Sequence, residues 1–346
     1  MSSDEAIGEE VTIKDVAQAA GVSIRTVSRV LNKSPKVGRS TREQIQTVID
    51  RLGFSPNSRA RGLNSGRSYL IGMVQSDQNA HTLGALQRGA ANVCAEHGFE
   101  LVVHPSQYDD PHIAEQLTAF VRRSRVDGLL LLSPLGELES LAATLKRLSI
   151  PAVAMAAART PHYGAMLVSD EWSASHSLGE HLLELGHRRL AAITGPLRFR
   201  SSNERLNGLT AALAAAGITI EPSFICEGDY GFDSGLAAAR KLLALPNRPT
   251  AIVAGNDIMA AGVLKAAAEL GIDIPGSLSV AGFDDSDLAS MVSPALTTVH
   301  RPLEEMARTA TRTLLALIRA DPSPPTGDIR IDLTLVVRDS TAAVAS

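Results

Sequence analysis

Two arginines near the start of the chain are spaced so that they could read DNA bases. Arg25 and Arg29 follow Ile24 in a segment with helical periodicity, and they lie away from its apolar residues, Val27 and Val30. The guanidinium fork of arginine matches the two acceptors that guanine presents in the major groove. Ile24, Arg25 and Arg29 are therefore the candidates for base recognition.

A second group of polar residues follows the apolar runs of the longer, C-terminal part of the chain. In open α/β sheets, ligands bind beyond the carboxyl ends of the strands. Polar side chains there hold a hydroxylated small molecule through directed hydrogen bonds. The candidates for such a site are Asp77 to Thr82, Ser133, Gly195 to Arg205, Asn256 with Asp257, and Asp284 with Asp285.

The arginines belong to a pattern of three short helices. Thr12 with Asp15, and Ser40 with Glu43, predict two N-terminal capping boxes, and Ser23 predicts the cap of the helix between them. In a helix-turn-helix of this kind, the second helix lies in the major groove. Apolar residues recur at i, i+3 and i+4 in three sets that predict one shared core: Ile13, Val16, Ala17 and Ala20; Val27, Val30 and Leu31; Ile45, Val48, Ile49 and Leu52.

The distribution of charge separates this head from the rest of the chain. Residues 11–67 hold eleven Lys and Arg against three acids, a balance of +8, whereas residues 1–10 carry −4 and the remainder carries −8. The whole-chain charge of −4 therefore conceals a basic head that attracts phosphates in a salt-dependent way. The alternative, a small helical bundle without DNA contacts, explains neither the charge separation nor the caps.

From Ser68 onwards, short apolar runs alternate with helical patterns. Strands are predicted at 70–74, 100–104, 128–132 and 151–155, and again at 190–194, 224–226, 251–254 and 278–283. This alternation predicts parallel, doubly wound sheets in two similar lobes with a cleft between them. The chain then crosses back through 297–300, a helix over 302–320 and a final strand over 331–337.

Length and composition exclude several classes of protein. A chain of 346 residues with 45% hydrophobic content can form two or three folding units. No apolar run reaches the ~18 residues that span a bilayer, and the acidic start MSSDEAIGEE is unlike a signal peptide. We therefore expect a cytoplasmic protein with no membrane association. Cys94 and Cys226 lack metal-ligand spacing, so we expect reduced thiols, no metal and no cofactor.

Three stretches of the chain resemble the lactose-repressor (LacI) family of bacterial transcription factors: VTIKDVAQAAGVSIRTVSRVLN, VGRSTREQIQTVIDRLGFSPN and ARGLNSGRSYLIG. The likeness continues over nearly the whole chain, and its two-lobed part resembles the type I periplasmic sugar-binding fold. The resemblance implies an all-α helix-turn-helix head and an α/β effector domain of two doubly wound lobes. The implied domains are a disordered tail (1–10), the helix-turn-helix (11–55), a hinge helix (56–67), the effector and dimerisation domain (68–338) and a tail (339–346). Lobe 1 then comprises 68–168 and 300–328, and lobe 2 comprises 169–299 and 329–338.

The resemblance also implies how DNA is bound. The hinge, about Pro56 to Leu63, becomes helical only on operator DNA, and in a homodimer Leu63 of each subunit wedges into the minor groove. The alternative for Leu63 is an ordinary linker residue. Helices near 83–97 and 257–270 would form the dimer surface. The expected DNA-binding residues are Thr12, Ser23, Ile24, Arg25, Thr26, Ser28, Arg29, Asn32, Asn57, Ala60, Arg61 and Leu63.

Family motifs select effector residues in the cleft. Gly195-Pro196 with Arg205 and Gly208, Asn256-Asp257, and Gly282-Phe283-Asp284-Asp285 match family patterns, which imply ligand contacts by Arg205, Asn256 and Asp284. Tyr230 and Arg301 fall where the family lines its pocket. As alternatives, Arg205 pairs with an acid, Tyr230 packs, Asp257 caps a helix and Asp285 is structural. The expected effector-binding residues are Asn79, His81, Ser133, Arg205, Tyr230, Asn256, Asp284 and Arg301.

The chain departs from the family pattern in two places. After the first strand it has Asn79-Ala80-His81-Thr82, where the family often has Asn-Pro and two aromatics, so His81 would replace stacking by hydrogen bonding. After the fourth strand, Met155 to Arg159 lacks an acid that often grips hydroxyls. The ligand therefore differs from a simple hexose.

Together these observations predict a sequence-specific repressor that binds a palindromic operator as a homodimer. A small-molecule effector, a sugar or sugar derivative acting as inducer, would control it. A purine corepressor on the same fold, a metabolite-processing enzyme and a transport binding protein are the alternatives. A phosphate loop, a metal-ligand spacing and a nucleophile elbow are all missing, so we expect no enzyme.

Overall fold

The computed structural model describes residues 11–31, 34–54, 67–76, 80–321 and 327–344. The chain forms two compact units, Met1–Tyr69 and Leu70–Ser346, and each is considered by itself. Within the described residues, no helix is both long and apolar enough to cross a bilayer.

The first unit is a bundle of three helices, α1 (Ile13–Ala19), α2 (Ile24–Leu31) and α3 (Arg39–Leu52). Every apolar residue of the three predicted sets contributes to one core, either buried or packed against it. Gly21 has φ +64° and makes the turn between α1 and α2, a conformation that glycine adopts without steric cost. The predicted helix-turn-helix is therefore confirmed.

Two of the three predicted caps are present. The Asp15 carboxylate accepts hydrogen bonds from the Thr12 backbone N–H and hydroxyl, at 2.8 and 2.7 Å. The Ser23 hydroxyl accepts one from the Thr26 N–H, at 3.2 Å. The third prediction is wrong, because α3 begins at Arg39 with Gly38 at its N-cap. Ser40 is thus already inside the helix, and its predicted partner Glu43 instead pairs with Arg39 at 2.9 Å.

The second unit consists of two α/β lobes. In the first lobe, strands β1 to β5 and β11 form a sheet in the order β11-β5-β4-β3-β1-β2, paired in parallel throughout. The described elements of this lobe are β1 (Leu70–Gln75), α4 (Ala80–Glu96), β2 (Glu100–Pro105), α5 (Ile113–Ser124), β3 (Gly128–Leu131), α6 (Glu139–Leu148), β4 (Ala152–Ala156), β5 (Ala165–Ser169), and later α12 (Leu303–Arg319) and β11 (Gly327–Ile331).

The second lobe is built in the same way, with the parallel order β7-β6-β8-β9. Thr297, directly before β10, forms a parallel bridge with Ala281, and His300 forms one with Asp284. Strand β10 itself pairs in antiparallel fashion with β12. The described elements are α7 (Glu171–Glu184), β6 (Leu190–Thr194), α8 (Arg200–Ala215), β7 (Ile225–Glu227), α9 (Phe232–Leu243), β8 (Ala251–Ala254), α10 (Asp257–Glu269), β9 (Ser279–Ala281), α11 (Asp287–Met291), β10 (Thr298–His300) and β12 (Thr334–Val336).

The predicted end of the chain is wrong in two respects. The final strand predicted over 331–337 is the shorter β12 (Thr334–Val336), and the strand before it, β11 (Gly327–Ile331), was not predicted. Strand β11 pairs with β5 in the first lobe, although 329–338 was assigned to the second lobe. Strand β11 exposes every second residue, so GDIRI is not an apolar run. Strand β5 was also missed, because its AMLVS sequence directly precedes the polar start of α7.

Residues 339–344 are not the tail that was predicted. Ser340 is fully buried, and its hydroxyl donates to the Val280 carbonyl at 2.6 Å and accepts from the Thr297 N–H at 2.8 Å. The Val344 N–H donates to the Leu185 carbonyl at 2.9 Å. This segment is therefore part of the second lobe.

Candidate functional site

The outer face of α2 combines exposed and half-buried polar residues. Val27 and Val30 anchor the helix in the core of the head, whereas Ile24 is 45% exposed and Arg25 is exposed. Arg29 is half-buried, as are Thr26 and Ser28. The helix therefore presents Ile24 and Arg25 to solvent, as its periodicity predicts.

A cavity lies between the carboxyl ends of the strands of the two lobes. Ser133, Pro134 and Met155 line it from the first lobe, while residues after β6, β8 and β9 line it from the second. Six predicted effector residues share this lining: Ser133, Arg205, Tyr230, Asn256, Asp284 and Arg301. The carboxyl ends of the strands thus bring residues from distant parts of the sequence together at one cavity.

Four charged side chains form an alternating ring beside this cavity. The Glu171 carboxylate accepts a hydrogen bond from Arg205 Nε at 2.7 Å and lies 3.5 Å from Arg301 Nε. On the other side, Asp284 accepts from Arg301 Nη1 at 3.0 Å and lies 3.7 Å from Arg205 Nη2. Burial alone would raise the pKa of Glu171, but the two guanidinium groups and their hydrogen bonds hold it below its usual value.

Arg205 is fixed in place by more than its ion pairs. Its guanidinium lies 3.7 Å from the centre of the Phe283 ring, and its Nη1 donates to the Gly255 carbonyl. Stacking of this kind on an aromatic face favours arginine over lysine. The orientation of this side chain is therefore set before any ligand arrives.

Asn256 and Asp257 divide two structural tasks between them. The Asn256 side chain accepts from the Met259 N–H at 2.9 Å, so Asn256 caps α10, and the prediction that Asp257 is the cap is wrong. The buried Asp257 carboxylate instead accepts from the N–H and hydroxyl of Ser286 and from the Thr298 hydroxyl. Burial, followed by the nearby Asp284 charge, raises the pKa of Asp257 to about 7.

Tyr230 packs and also lines the cavity. Its hydroxyl shares a hydrogen bond with the Ser202 hydroxyl at 2.7 Å, and its ring is nearly parallel to that of Phe199. A Cβ at Gly195 would overlap the Tyr230 ring, so the glycine of the Gly-Pro motif is needed for this packing.

Comparison with known proteins decides the family. Residues 12–57 match the model described as bacterial regulatory proteins, lacI family, and residues 180–341 match a periplasmic binding protein-like domain. The ribose operon repressor of Escherichia coli (strain K12) is 33% identical over 332 residues, which cover 96% of this chain and 99% of that protein. The chain belongs to the LacI family of bacterial regulatory proteins.

Other relatives agree with this assignment. The transcriptional repressor PurR of Edwardsiella ictaluri (strain 93-146) is 35% identical over 308 residues, 88% of this chain and 89% of PurR. A lac repressor dimer bound to operator and the anti-inducer ONPF has a TM-score of 0.81 at 28% identity, covering 97% of this chain and all of that one. The regulator CelR in complex with cellobiose has a TM-score of 0.72 at 31% identity, covering 95% and 99%. This LacI-family protein is a DNA-binding transcriptional repressor under small-molecule control, and it is not an enzyme.

Some of the residues predicted to bind the effector or DNA do not line this cavity. His81 lines a neighbouring hollow with Thr82, Asp284 and Arg301, while Thr82 reaches the central cavity as well. Asp285 points away from the cavity and pairs with His300 and Arg338 at 2.9 and 2.6 Å, in line with a structural role. Asn79 and the DNA-binding predictions Asn32, Asn57, Ala60, Arg61 and Leu63 lie outside the described residues.

Two residues at this cavity were not predicted from the sequence. Glu171 completes the charged ring, and Phe199 lines the cavity opposite the first lobe. Glu171 follows the end of β5 by two residues, so the strand-end rule would have selected it had β5 been recognised. Phe199 lies inside the predicted segment Gly195 to Arg205 but was not singled out. Within the part of the chain that is described, no cluster of His, Cys, Asp or Glu could hold a metal ion.

Proposed function

We propose that this protein binds a palindromic operator as a homodimer and that a sugar or sugar derivative in the cleft between the lobes acts as its inducer. The observation that carries this proposal is the shared cavity lining of six polar residues that were selected from strand ends and motifs. The name of the ribose operon repressor and the cellobiose complex of CelR support a carbohydrate ligand.

Operator recognition rests on the head. Arg25 and Arg29 read base edges from α2, and the positive charge of the head holds the phosphates. The lac repressor structure, a dimer bound to operator, supports binding of this protein to its operator as a dimer. Leu63 of each subunit, which lies outside the described residues, is the proposed wedge at the operator centre. Because the target is chromosomal DNA, we infer that the protein acts in the cytoplasm.

Effector control requires a ligand that prefers one arrangement of the lobes. Asp109 of the first lobe pairs with Arg198 of the second at 3.2 Å, and the Tyr108 hydroxyl donates to the Arg198 carbonyl at 3.4 Å. A sugar that bridges Ser133 on the first lobe and Arg205 on the second stabilises this arrangement of the lobes. The coupling free energy between an effector site and a second binding site, here that for DNA, is typically ~1–3 kcal/mol.

A purine acting as corepressor is the second candidate. The rings of Phe199 and Tyr230 both line the cavity, and their planes are 10° apart. Two nearly parallel aromatic faces favour a flat heterocycle, whereas the charged ring favours hydroxyl groups. The direction of the effect on DNA binding separates the two candidates.

The test is operator selection followed by titration. The full-length protein is used to enrich genomic fragments at moderate salt, and its affinity for the enriched palindrome is then measured with sugars or with nucleobases present. We expect a sugar to weaken operator binding. Strengthened binding with a nucleobase would establish the corepressor alternative, and an equal affinity for all duplexes would refute the proposal.

A further inference from the structure

Glu171 supplies the charge that makes the cleft electrically neutral. Among the described residues that line the cavity, the charged side chains are Arg205, Asp284 and Arg301, which together carry +1. Glu171 lies behind the two arginines, and its side chain is only 1% exposed. Its negative charge brings the ring of four to zero.

Glu171 is also held firmly in this position. One carboxylate oxygen accepts a hydrogen bond from the Ser169 hydroxyl at 2.8 Å, and the other accepts from Arg205 Nε at 2.7 Å. The Nε atoms of both arginines lie near the Glu171 carboxylate, at 2.7 Å for Arg205 and 3.5 Å for Arg301.

This balance has a consequence for the ligand. An anion that enters a neutral cleft loses hydration and meets no excess positive charge in return. A neutral polyol, by contrast, donates hydroxyl hydrogens to Asp284 and accepts from the outer N–H groups of the arginines. Without Glu171 the same lining would carry a net positive charge and would favour phosphate or carboxylate groups.

We propose that Glu171 is a specificity-determining residue that makes the cleft accept uncharged, polyhydroxylated ligands and reject phosphorylated or acidic sugars. The inference rests on the proposed function of the cleft as the effector site. It acts through Arg205 and Arg301, since Glu171 itself does not line the cavity.

The test compares ligand charge directly, without DNA. Binding of sulfate, and of neutral sugars paired with their phosphates and acids, is measured by calorimetry and thermal shift on the full-length protein and on Glu171→Gln. We expect the wild type to bind a neutral sugar more tightly than its charged counterparts. Glu171→Gln should gain about tenfold in sulfate affinity. Glu184→Gln, the same substitution at an exposed position of α7, should behave as the wild type does.

Two further variants keep the result interpretable. Glu171→Asp retains the charge and should retain the rejection of anions, which a purely steric role would not predict. If Glu171→Gln does not fold, Asp284→Asn removes one charge from the same ring and should also gain sulfate binding. The inference is overturned if the wild-type protein prefers a phosphorylated or acidic sugar to the neutral one. It is also overturned if Glu171→Gln, or Asp284→Asn in its place, shows no increase in sulfate affinity. Neither result bears on operator binding, so this failure is distinguishable from failure of the proposed function.

Discussion

The side-chain amide of Asn256 donates a hydrogen bond to the main-chain carbonyl of Tyr230 over 3.0 Å. Tyr230 has φ +69°, a backbone conformation that is uncommon for a residue with a side chain. The same amide accepts from the Met259 N–H, so one side chain holds both the cap of α10 and the loop that carries Tyr230. Asn256 therefore supports the cavity wall, in addition to its proposed contact with the effector.

We expect Asn256→Ala to lower the free energy of unfolding by about 1–3 kcal/mol, because it removes a helix cap and leaves the Tyr230 carbonyl without this donor. Urea denaturation measures the difference. Asn247→Ala, at an exposed position, is the control and should change stability little. Equal stability of both variants would show that the hydrogen bonds of Asn256 contribute little.

Arg29→Ala should weaken binding to the specific operator by ~1–3 kcal/mol. At the one base pair that Arg29 reads, the variant should also lose its preference for the operator base over the other bases. The measurement is fluorescence anisotropy with a set of single-base operator changes. Arg51→Ala removes the same charge from α3 and should weaken all duplexes alike. An unaltered preference for the operator over its variants in Arg29→Ala would exclude base reading by this residue.

Asp257 should make stability depend on pH. Its pKa is raised from 3.8 to about 7, so the folded state binds the proton more tightly than the unfolded state does. The contribution of this group to the free energy of unfolding is therefore full in acid and is lost as the pH rises from about 4 to about 7.

The stability of the wild type relative to Asp257→Asn should accordingly fall across that window, by ~1–4 kcal/mol. Urea denaturation at a series of pH values gives the difference. Asp321→Asn, at an exposed position, is the control for the loss of one carboxyl group and should change stability little. A flat difference for Asp257→Asn would mean that this carboxyl is ionised throughout.

Gly195→Ala should displace the Tyr230 ring, with a loss of about 1–3 kcal/mol in stability and weaker effector binding. Gly164→Ala is a matched control, since nothing lies near the position of its added Cβ. A double-mutant cycle with Tyr230→Ala checks the cause, because removing the ring should relieve the overlap. Additive losses would place the origin of the effect elsewhere.

The parts that sequence predicted well are those with a strong repeating pattern. The apolar spacing around Val16, Val27 and Ile45 defined the head, and the buried runs of β1, β3 and β8 were recognised because parallel strands are apolar on both faces. Strand β11 could not be recognised in this way, because an edge strand exposes alternate residues.

The residues at the cavity likewise divide into those that the sequence predicts and those that it does not. Arg205 and Asp284 stand in motifs at strand ends, so their convergence was predictable. The role of Glu171 depends on which two arginines surround it, and only the three-dimensional arrangement supplies that information. The cap of α10 was predicted at Asp257, and the adjacent Asn256 is an equally good capping residue type. Asn256 is the cap, because its backbone is extended whereas Asp257 already belongs to the helix.

The position of β11 in the first sheet has a consequence for how the polypeptide matures. Residues 327–331 complete a sheet whose other strands end at Ser169, and the second lobe from α7 to β10 is synthesised in between. A ribosome therefore delivers most of the second lobe before the first lobe has its last strand, so the first lobe cannot complete its sheet before the second lobe begins to fold, as the usual N-to-C order would have it. For the same reason, neither half can be cut out of the gene as one uninterrupted reading frame.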